Sequence, residues 1–508
     1  MNGKKPLTAV FLACSACVFF FPFRSQGAWI ESLGQSARAS AMGNAYIAVA
    51  DDLSAVWYNP AGLTQLIGGK KVDHVFGVAV NTVRTTIDEP LASPRSGSSH
   101  YDGTLESLIP ILHFNFGLEI GERIYLAPFP FYVTHVGGTK FPETIGDARF
   151  SGYFDAFFFM NWMPTIAYRL HEKVSVGVGL HVNAFNQIKA QQKLGDGYLL
   201  GGVSALFPGT APENFTGNPI LSALFLDGQD DGKLLIRTDS EFPTGIRPIN
   251  DVDINFKDLG FGIGVLFEPT DWLRIGTNYR SEMAVHTEGE MALLVNPSDP
   301  LVAFTQSGIL FPPVQSDTER FDLVFRLPTQ LGFGIAIEPL PWLLWSVDYT
   351  WTDWGRSRRQ DELFIRGDGL GPPHVTKFVV PRHWKSVHSV RTGAEVRLSP
   401  RLSLQGGFWY DPSPVPDRYY SVTSGMNDYF IYSFGAGYRG LLDGRLDVNT
   451  FFLYLASSTR RIAVGESQIL GGVSKFANPL IGVSPNRDFS MEVDGDVITW
   501  GVDFTMHF

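Results

Sequence analysis

Residues 496–508, with the sequence DVITWGVDFTMHF, alternate between apolar and polar side chains almost without a break. One set comprises Ile498, Trp500, Val502, Phe504, Met506 and Phe508, and the other comprises Thr499, Gly501, Asp503, Thr505 and His507. Because successive side chains of a strand face opposite sides of a sheet, the stretch predicts a strand with one apolar and one polar face. In an outer-membrane barrel the apolar face meets lipid and the polar face lines the lumen. We therefore expect a closing strand that pairs with the first strand near residues 71–86.

The composition favours strands over helices as the membrane-spanning elements. The 508 residues include 53 Gly and 40 Phe, and only 18% are charged. Mean hydropathy is +0.02, and beyond the first thirty residues no apolar run reaches the length of about 18 residues that a spanning helix needs. A large barrel distributes its apolar residues over short alternating segments, which fits this neutral hydropathy.

Residues 1–27 resemble a secretory signal peptide, with two lysines before an apolar run and small residues after it. A membrane anchor or a lipid-modified cysteine is the alternative interpretation. Both cysteines, Cys14 and Cys17, lie in this segment, so the mature chain would contain neither a disulfide nor a cysteine-ligated metal. Removal of its three basic residues leaves 37 basic and 51 acidic residues, a net charge of −14 that argues against nucleic acid as a partner.

From residue 71 onward the sequence contains about fourteen strand-like segments joined alternately by short and long connections. The long connections are residues 88–107, 135–153, 191–256, 288–320, 355–387, 413–426 and 462–493. Short periplasmic turns and long extracellular loops are typical of transmembrane barrels, whereas a soluble β-sandwich or propeller lacks this alternation. We therefore predict an all-β fold: a fourteen-stranded antiparallel transmembrane β-barrel over residues 71–508, in the bacterial outer membrane.

Residues 28–70 do not have a strand pattern. Short helices with small residues are expected near residues 36–43 and 51–56, and small residues let backbones pack closely. A segment of this length before an outer-membrane barrel predicts an N-terminal helical hatch that plugs the lumen.

Aromatic residues at strand ends would form the interfacial girdles; the candidates are Trp272, Trp342, Trp354, Tyr410 and Tyr438.

Several motifs resemble those of the FadL/TodX (OMPP1) family of outer-membrane transporters. They include AMGNAY at residues 41–46, NPAGL at 59–63 and DPSPVPD at 411–417, and the likeness extends over nearly all of the mature chain. The resemblance implies a fourteen-stranded barrel with an N-terminal hatch. It also implies diffusion-driven uptake of long-chain fatty acids or other hydrophobic molecules such as aromatic hydrocarbons. The loops at 191–256 and 288–320 look divergent, so the resemblance does not fix the substrate.

The hatch motif comprises Asn59, Pro60, Ala61 and Gly62. Asn bonds nearby backbone and Pro presets φ, so the motif predicts a tight turn. The resemblance implies that it holds the hatch in the barrel.

Strand 3 contains Ala127, Pro128, Phe129 and Pro130. Proline removes a ladder donor and is confined to edges or bulges, so two prolines in one barrel strand predict a local break in pairing. The resemblance implies a lateral opening from the lumen into the membrane at this break. A bulge without function is the alternative.

The candidate ligand-binding residues fall into two groups. Phe207, Phe225, Phe304 and Phe311 belong to apolar clusters in the two longest loops, which indicate either a docking groove or loops that pack on each other. Lys193 and Lys385 resemble, in position, basic residues that receive the carboxylate in fatty-acid-transporting relatives. Ordinary solvated loop lysines are the alternative.

Two other functions compete with hydrophobic uptake. A general porin for small solutes would keep its lumen wet, which a plug of forty residues argues against. A lipid hydrolase would need a nucleophile, but no Gly-x-Ser-x-Gly motif is present, and His383, Ser386 and His388 have no third partner by motif.

We expect no enzyme activity, cofactor or metal, and a monomer surrounded by outer-membrane lipid and lipopolysaccharide (LPS). Phe508 would be recognised by the barrel assembly machinery.

Overall fold

A computed structural model describes residues 34–69, 72–91, 99–140, 154–194, 232–240, 259–295, 319–367, 374–420, 427–463, 466 and 490–508. The predicted signal peptide lies outside these residues, as do parts of the long loops. Within the described residues no helix is long and apolar enough to cross a membrane.

The described residues form fourteen strands, each antiparallel to its neighbours. The strands are β1 (Val72–Leu91), β2 (Ser99–Ile120), β3 (Ile124–Ala127 and Phe131–Lys140), β4 (Phe154–Trp162 and Thr165–His171), β5 (Val174–Leu194), β6 (Gly232–Ser240 and Leu259–Thr270), β7 (Leu273–Arg280 and Met283–Val295), β8 (Glu319–Leu327 and Gln330–Leu340), β9 (Leu343–Thr352 and Gln360–Gly367), β10 (His374–Pro381 and Val387–Arg397), β11 (Leu402–Asp411), β12 (Tyr429–Gly440), β13 (Leu446–Ser457 and Arg460–Ile462) and β14 (Ser490–His507). β14 pairs with β1 and closes the barrel, so the predicted fourteen-stranded barrel is confirmed.

The closing strand has the two predicted faces. Trp500 is 53% exposed on the outside, whereas Thr499 is fully buried and Asp503 is 3% exposed on the lumenal side. The pairing begins at Asp73 with His507 and continues past Thr86, the end of the predicted first strand, to Leu91.

Seven strands, β3, β4, β7, β8, β9, β10 and β13, are interrupted within the described residues. The interruptions of β3 and β4 lie side by side, as do those of β7 to β10. The amide of Met163 donates to the carbonyl of Pro130 at 2.9 Å, and that of Asp353 donates to the carbonyl of Thr329 at 2.8 Å. The exposed apolar side chains described on these strands lie at this row of interruptions or on its short-turn side. Since short turns mark the periplasmic end, the row marks the outer edge of the lipid-facing belt.

The predicted long connections are partly wrong. Gly232–Ser240 lies within the predicted loop 191–256, and both Gln360–Gly367 and His374–Pro381 lie within 355–387. β7 likewise continues to Val295. Beyond the lipid belt both faces of a strand meet water, so the apolar alternation that identifies a membrane strand disappears.

Among the described residues, short helices occur in the hatch, at the outer rim and in the short turn between β12 and β13. They are α1 (Ala37–Ala41), α2 (Ala55–Tyr58), a 3-10 helix (Pro60–Leu66), α3 (Trp354–Ser357), a 3-10 helix (Asp417–Tyr419) and α4 (Leu441–Gly444). Trp354 is 7% exposed, so its assignment to an aromatic girdle was wrong: α3 turns this ring into the barrel. Trp272 and Trp342 are exposed at the short-turn end, as predicted.

Candidate functional site

The hatch, residues 34–69, lies inside the barrel and is bound by three buried carboxylates of the wall. Asp348 accepts the amide protons of Tyr46 and Ile47 at 2.6 and 2.8 Å. Asp503 accepts the amide proton of Ala37 at the start of α1. Glu395 receives the guanidinium of Arg38 through two hydrogen bonds, of 2.6 and 3.2 Å.

Arg38 also organises the charges within the hatch. Burial disfavours its charge, but Asp51, together with Tyr46 and Glu395, raises the pKa of Arg38 well above its usual value. Burial likewise opposes ionisation of Asp51, yet the adjacent Arg38 holds the pKa of Asp51 well below its usual range. Asp52 has the opposite balance, because burial and the neighbouring charge of Asp51 raise its pKa. The hatch therefore contains one firmly ionised carboxyl beside a second that ionises with difficulty.

The motif at residues 59–62 forms the predicted tight turn, in which the amide of Gly62 donates to the carbonyl of Asn59 at 2.8 Å, and this turn begins the 3-10 helix. The Asn59 side chain caps that helix by accepting the amide proton of Ala61 at 3.2 Å, and Pro60 is its first residue. The Asn59 amide group also donates to the carbonyls of Ile47 in the hatch and Val265 in β6. Asn59 thus joins two parts of the hatch to the wall.

Glycines of the wall make room for this motif. A Cβ atom at Gly177 in β5 would lie 2.3 Å from the carbonyl carbon of Pro60. One at Gly264 in β6 would lie 2.0 Å from the side-chain oxygen of Asn59. The absence of side chains at these two positions lets the hatch backbone rest directly on the sheet.

Ala127, Pro128, Phe129 and Pro130 lie where β3 is interrupted. On the β4 side the chain stays attached, since the Trp162 indole donates to the carbonyl of Pro128 at 2.9 Å.

The ladder between β2 and β3 is discontinuous on the other side. It passes directly from the Leu118–Leu126 pair to the Phe114–Phe131 pair. Among the described residues, β2 and β3 form no ladder pair beyond His113 and Tyr132, although each strand continues outward beside its other neighbour.

The hatch covers the inner side of this discontinuity. The carbonyl of Leu53 accepts a hydrogen bond from Asn115 of β2 at 2.7 Å and one from Tyr132 of β3 at 3.4 Å. Strands on both sides of the break therefore bind the same atom of the hatch.

A second structure fills the lumen above the hatch, which we call the lumenal aromatic cluster: Phe159, Phe325, Trp354, Trp384 and Arg358. The rings of Phe159 and Phe325 are 5.4 Å apart, and those of Trp354 and Trp384 are 5.2 Å apart. The Arg358 guanidinium, 1% exposed, lies 3.9 Å from the Phe325 ring and 4.9 Å from that of Trp384. Phe159 stands opposite His135 on β3, so the cluster borders the outer part of the interrupted strand.

The sequence did not reveal this cluster. Arg358 lies in the predicted long connection 355–387, and no motif singled out Phe325. A weak signal was available in Trp384, a tryptophan within the predicted connection 355–387, whereas Trp354 was assigned to an aromatic girdle.

The predicted ligand residues are not brought together by the described structure. Phe207, Phe225, Phe304 and Phe311 lie outside the described residues. Lys193 lies near the outer end of β5, in register with Lys233 of β6. Lys385 is exposed beside buried Trp384, and its amide donates to the carbonyl of Pro414 at 2.7 Å. Their ligand roles remain predictions.

The residues considered for hydrolysis point to different partners. The Ser386 hydroxyl donates to Asp353 at 2.7 Å, and His388 contacts the Tyr349 hydroxyl on the exposed face. His383 stacks on Tyr419. No serine–histidine pair forms among these three, and the described part of the chain contains no group of ligands able to hold a metal ion.

The motif at 411–417 is held rigidly at the outer rim. Arg460 of β13 donates to Asp417 at 2.8 Å and to the Ser413 hydroxyl at 3.0 Å, and its guanidinium lies 4.4 Å from the Tyr420 ring. This motif is therefore a fixed part of the barrel mouth.

Comparison with known proteins agrees with the fold. The family described as "Outer membrane protein transport protein (OMPP1/FadL/TodX)" matches residues 24–508. A long-chain fatty acid transport protein of Escherichia coli O6:H1 is 23% identical over 197 residues, which are 38% of this chain and 42% of that protein. The matched regions span about two fifths of the curated relatives.

Solved structures are similar over almost the full chain. A Pseudomonas aeruginosa FadL homologue has a TM-score of 0.67 at 13% identity and covers 95% of this chain and 99% of its own. The Pseudomonas putida toluene transporter TodX has a TM-score of 0.61 at 12% identity and covers 94% and 99%. At these identities the likeness shows the fold alone.

Proposed function

We propose, since this chain belongs to the OMPP1/FadL/TodX family of outer membrane transport proteins, that long-chain fatty acids or aromatic hydrocarbons diffuse through it. Apolar outer loops, including Phe207, Phe225, Phe304 and Phe311, would capture the molecule. The lumenal aromatic cluster would hold it, and the break at residues 127–130 would release it sideways into the membrane. A general porin and a lipid hydrolase are the alternatives.

The observation that carries this proposal is the position of the break in β3. Phe129, at the break, is 54% exposed on the lipid-facing surface; the hatch covers the inner side of the break, and the aromatic cluster borders the adjoining outer part of the same strand. An apolar molecule gains about 0.8 kcal/mol for each CH₂ removed from water, so a route from an apolar site directly into lipid avoids exposing its tail again. The hatch, below the cluster, would block the aqueous route along the lumen.

Arg358 supports fatty acids over hydrocarbons as the transported molecule. A carboxylate buried in an apolar site needs a charged or hydrogen-bonding partner, and guanidinium groups bind carboxylates through paired, charge-assisted hydrogen bonds. A hydrocarbon needs no such group. Lys193 and Lys385 would act earlier, as weaker partners nearer the outer rim.

The lateral route is tested with the variant Pro128→Thr/Pro130→Thr, which restores two ladder donors. We expect uptake of labelled oleate by cells lacking other transporters to fall at least tenfold. Pro339→Ala/Pro341→Ala, at a periplasmic turn, is the matched control and should leave uptake unchanged. Uptake equal to wild type in the β3 variant would exclude lateral release there without excluding transport.

The substrate is tested with Arg358→Met. Oleate uptake should fall at least tenfold while toluene uptake stays within twofold, and Arg358→Lys should recover part of the oleate uptake. Arg391→Met, another buried arginine over a tryptophan, controls for loss of packing. Equal losses for both molecules would contradict a head-group role.

The predicted outer lysines have their own test, Lys193→Met/Lys385→Met, which should weaken laurate binding. Unchanged affinity for laurate would remove both lysines from the route.

Steady open-channel current from the intact protein in planar bilayers would favour a porin, and release of fatty acid from phospholipid would favour a hydrolase.

A further inference from the structure

A row of four residues crosses the lumenal wall from the closing strand to the break in β3. Gly77 of β1 pairs with Asp503 of β14 on one side and with His113 of β2 on the other. His113 pairs in turn with Tyr132 of β3, which is the outermost ladder pair between β2 and β3 among the described residues. His113 therefore stands between the strand that closes the barrel and the strand that is interrupted.

The glycine in this row lets its two neighbours meet. A Cβ atom at Gly77 would lie 2.2 Å from the Oδ1 atom of Asp503 and 2.4 Å from the Nε2 atom of His113. Without that Cβ, those two atoms lie 3.2 Å apart over the glycine. Both side chains are buried, so dissolved salt screens their interaction little.

The contact between His113 and Asp503 depends on a proton. Within the described residues, neither the His113 Nε2 atom nor the Asp503 Oδ1 atom has an aligned hydrogen-bond partner. A neutral imidazole carries a proton on one ring nitrogen, whereas an imidazolium carries one on each. Charged His113 can therefore donate a charge-assisted bond to the carboxylate, which is about twice as strong as a neutral one.

Asp503 transmits this contact to the hatch. Its Oδ2 atom accepts the amide proton of Ala37 at the start of α1, whereas Oδ1 faces His113. The two contacts use different oxygens, so they do not compete. A charge on His113 thus keeps Asp503 ionised and in position to anchor α1.

Tyr132 transmits the same charge to the break. The rings of His113 and Tyr132 are stacked, with centroids 5.5 Å apart and planes 3° from parallel. A cation over an aromatic face is attracted by the ring, so protonated His113 also draws β2 towards β3. The Tyr132 hydroxyl donates to the carbonyl of Leu53, so this side of the row binds the hatch as well.

The groups around His113 favour its charged form. Asp503 faces it from β14 and Tyr132 from β3, while β1 contributes Gly77, which does not titrate. From the hatch, Asp52 acts electrostatically on Tyr132. Both acids in this set attract a positive charge.

We propose that His113 is a proton-operated latch. Its charged form holds α1 through Asp503 and the outer end of the break through Tyr132, and loss of the proton loosens both. Histidine changes charge between about pH 5 and 8, so the latch is closed in acid and released in weakly alkaline medium. This inference rests on the proposed function only in taking the break as the release route.

The test is hydrogen exchange of the detergent-purified barrel, with protection measured relative to unstructured peptide at each pH. The background is Asp52→Asn, because this hatch carboxyl, whose pKa is raised, titrates as well. Protection of residues 34–45 should fall about tenfold from pH 5.5 to pH 8, since a hydrogen bond to a charged group contributes at least this much. Adding His113→Gln should abolish the fall.

Two further variants make the result specific. His181→Gln removes another buried lumenal histidine, one that faces Arg280 instead of a carboxylate, and should keep the full pH dependence. Tyr132→Leu removes the stacked ring, so residues 131–135 should lose their pH dependence while residues 34–45 keep it.

An unchanged pH dependence in the His113 variant would overturn the proposal, and so would its loss in the His181 variant. Protection that rises with pH would also overturn it. Because exchange is measured without a transported molecule, a wrong substrate or release route would leave these results unchanged. Electrophoretic mobility of the unheated barrel verifies that each variant is folded.

Discussion

The hatch and the lumenal aromatic cluster both lie inside the barrel, but different contacts hold them. Directional bonds hold the hatch: the carboxylates of Asp348, Glu395 and Asp503 each receive backbone or guanidinium protons from it. Ring packing around Arg358 holds the cluster. Hydrogen bonds and ion pairs with fixed geometry define one position of the hatch and are lost together when the hatch moves. Packed rings, in contrast, can adapt to ligands of different shape. The hatch is thus suited to closing the lumen and the cluster to holding a hydrophobic molecule.

The largest effect should come from Glu395→Gln, which removes the charge that faces Arg38. Losing one partner of a buried ion pair costs about 3–5 kcal/mol, and we expect the hatch to leave its place often enough to give steady current in planar bilayers. Glu338→Gln is the control, because Glu338 binds Arg274 and Arg397 of the wall and, among the described residues, makes no direct hydrogen bond to the hatch. A closed Glu395→Gln channel would mean that the other two carboxylates hold the hatch alone.

Asn59→Ala should have the next largest effect. It removes a helix cap and two bonds to backbone carbonyls, together about 2 kcal/mol. We expect reduced oleate uptake from a barrel that still assembles and keeps its unheated electrophoretic mobility. Normal uptake by this variant would contradict a role of the motif in positioning the hatch.

Phe325→Leu should change the cluster and leave the hatch intact. A substitution of similar size that removes a ring costs about 1 kcal/mol, so oleate uptake should fall severalfold without any bilayer current. Phe333→Leu, on the lipid-facing side of the same strand, is the matched control. Current in the Phe325 variant would show that cluster and hatch are one unit.

The smallest effect concerns the two hatch carboxyls. Burial in the docked hatch raises the pKa of Asp52, so the protonated form of this carboxyl favours docking. This stabilisation is complete at pH values below the usual pKa of an aspartate and is lost as pH rises through the raised pKa. Asp52→Asn should therefore increase hydrogen-exchange protection of the hatch at pH 7, and the gain should disappear in acid. Asp51, whose pKa is lowered, stabilises the hatch at neutral pH, so Asp51→Asn should reduce protection there. If both variants changed the hydrogen-exchange protection of the hatch in the same direction at pH 7, the opposite roles given to Asp51 and Asp52 would be contradicted.

The sequence predicted the elements whose patterns are local. Residues 496–508 alternate because one face meets lipid and the other the lumen, and the strand count followed from such segments. The extension Gln360–Gly367 was missed because strands with water on both sides have no required alternation. The bond between Arg38 and Glu395 joins residues 357 positions apart, and no local pattern relates them. Arg358 was missed for the same reason: its partners are rings on other strands.

The seam between β1 and β14 has seventeen residue pairs and no irregularity before Asp88, while six of the eight strands from β3 to β10 are interrupted. We therefore expect the barrel to be stiffer along the seam than along the interrupted arc, which has fewer ladder hydrogen bonds to break. A bulky molecule passing through would deform the interrupted arc first, so the wall can widen repeatedly without straining the seam that keeps the cylinder shut.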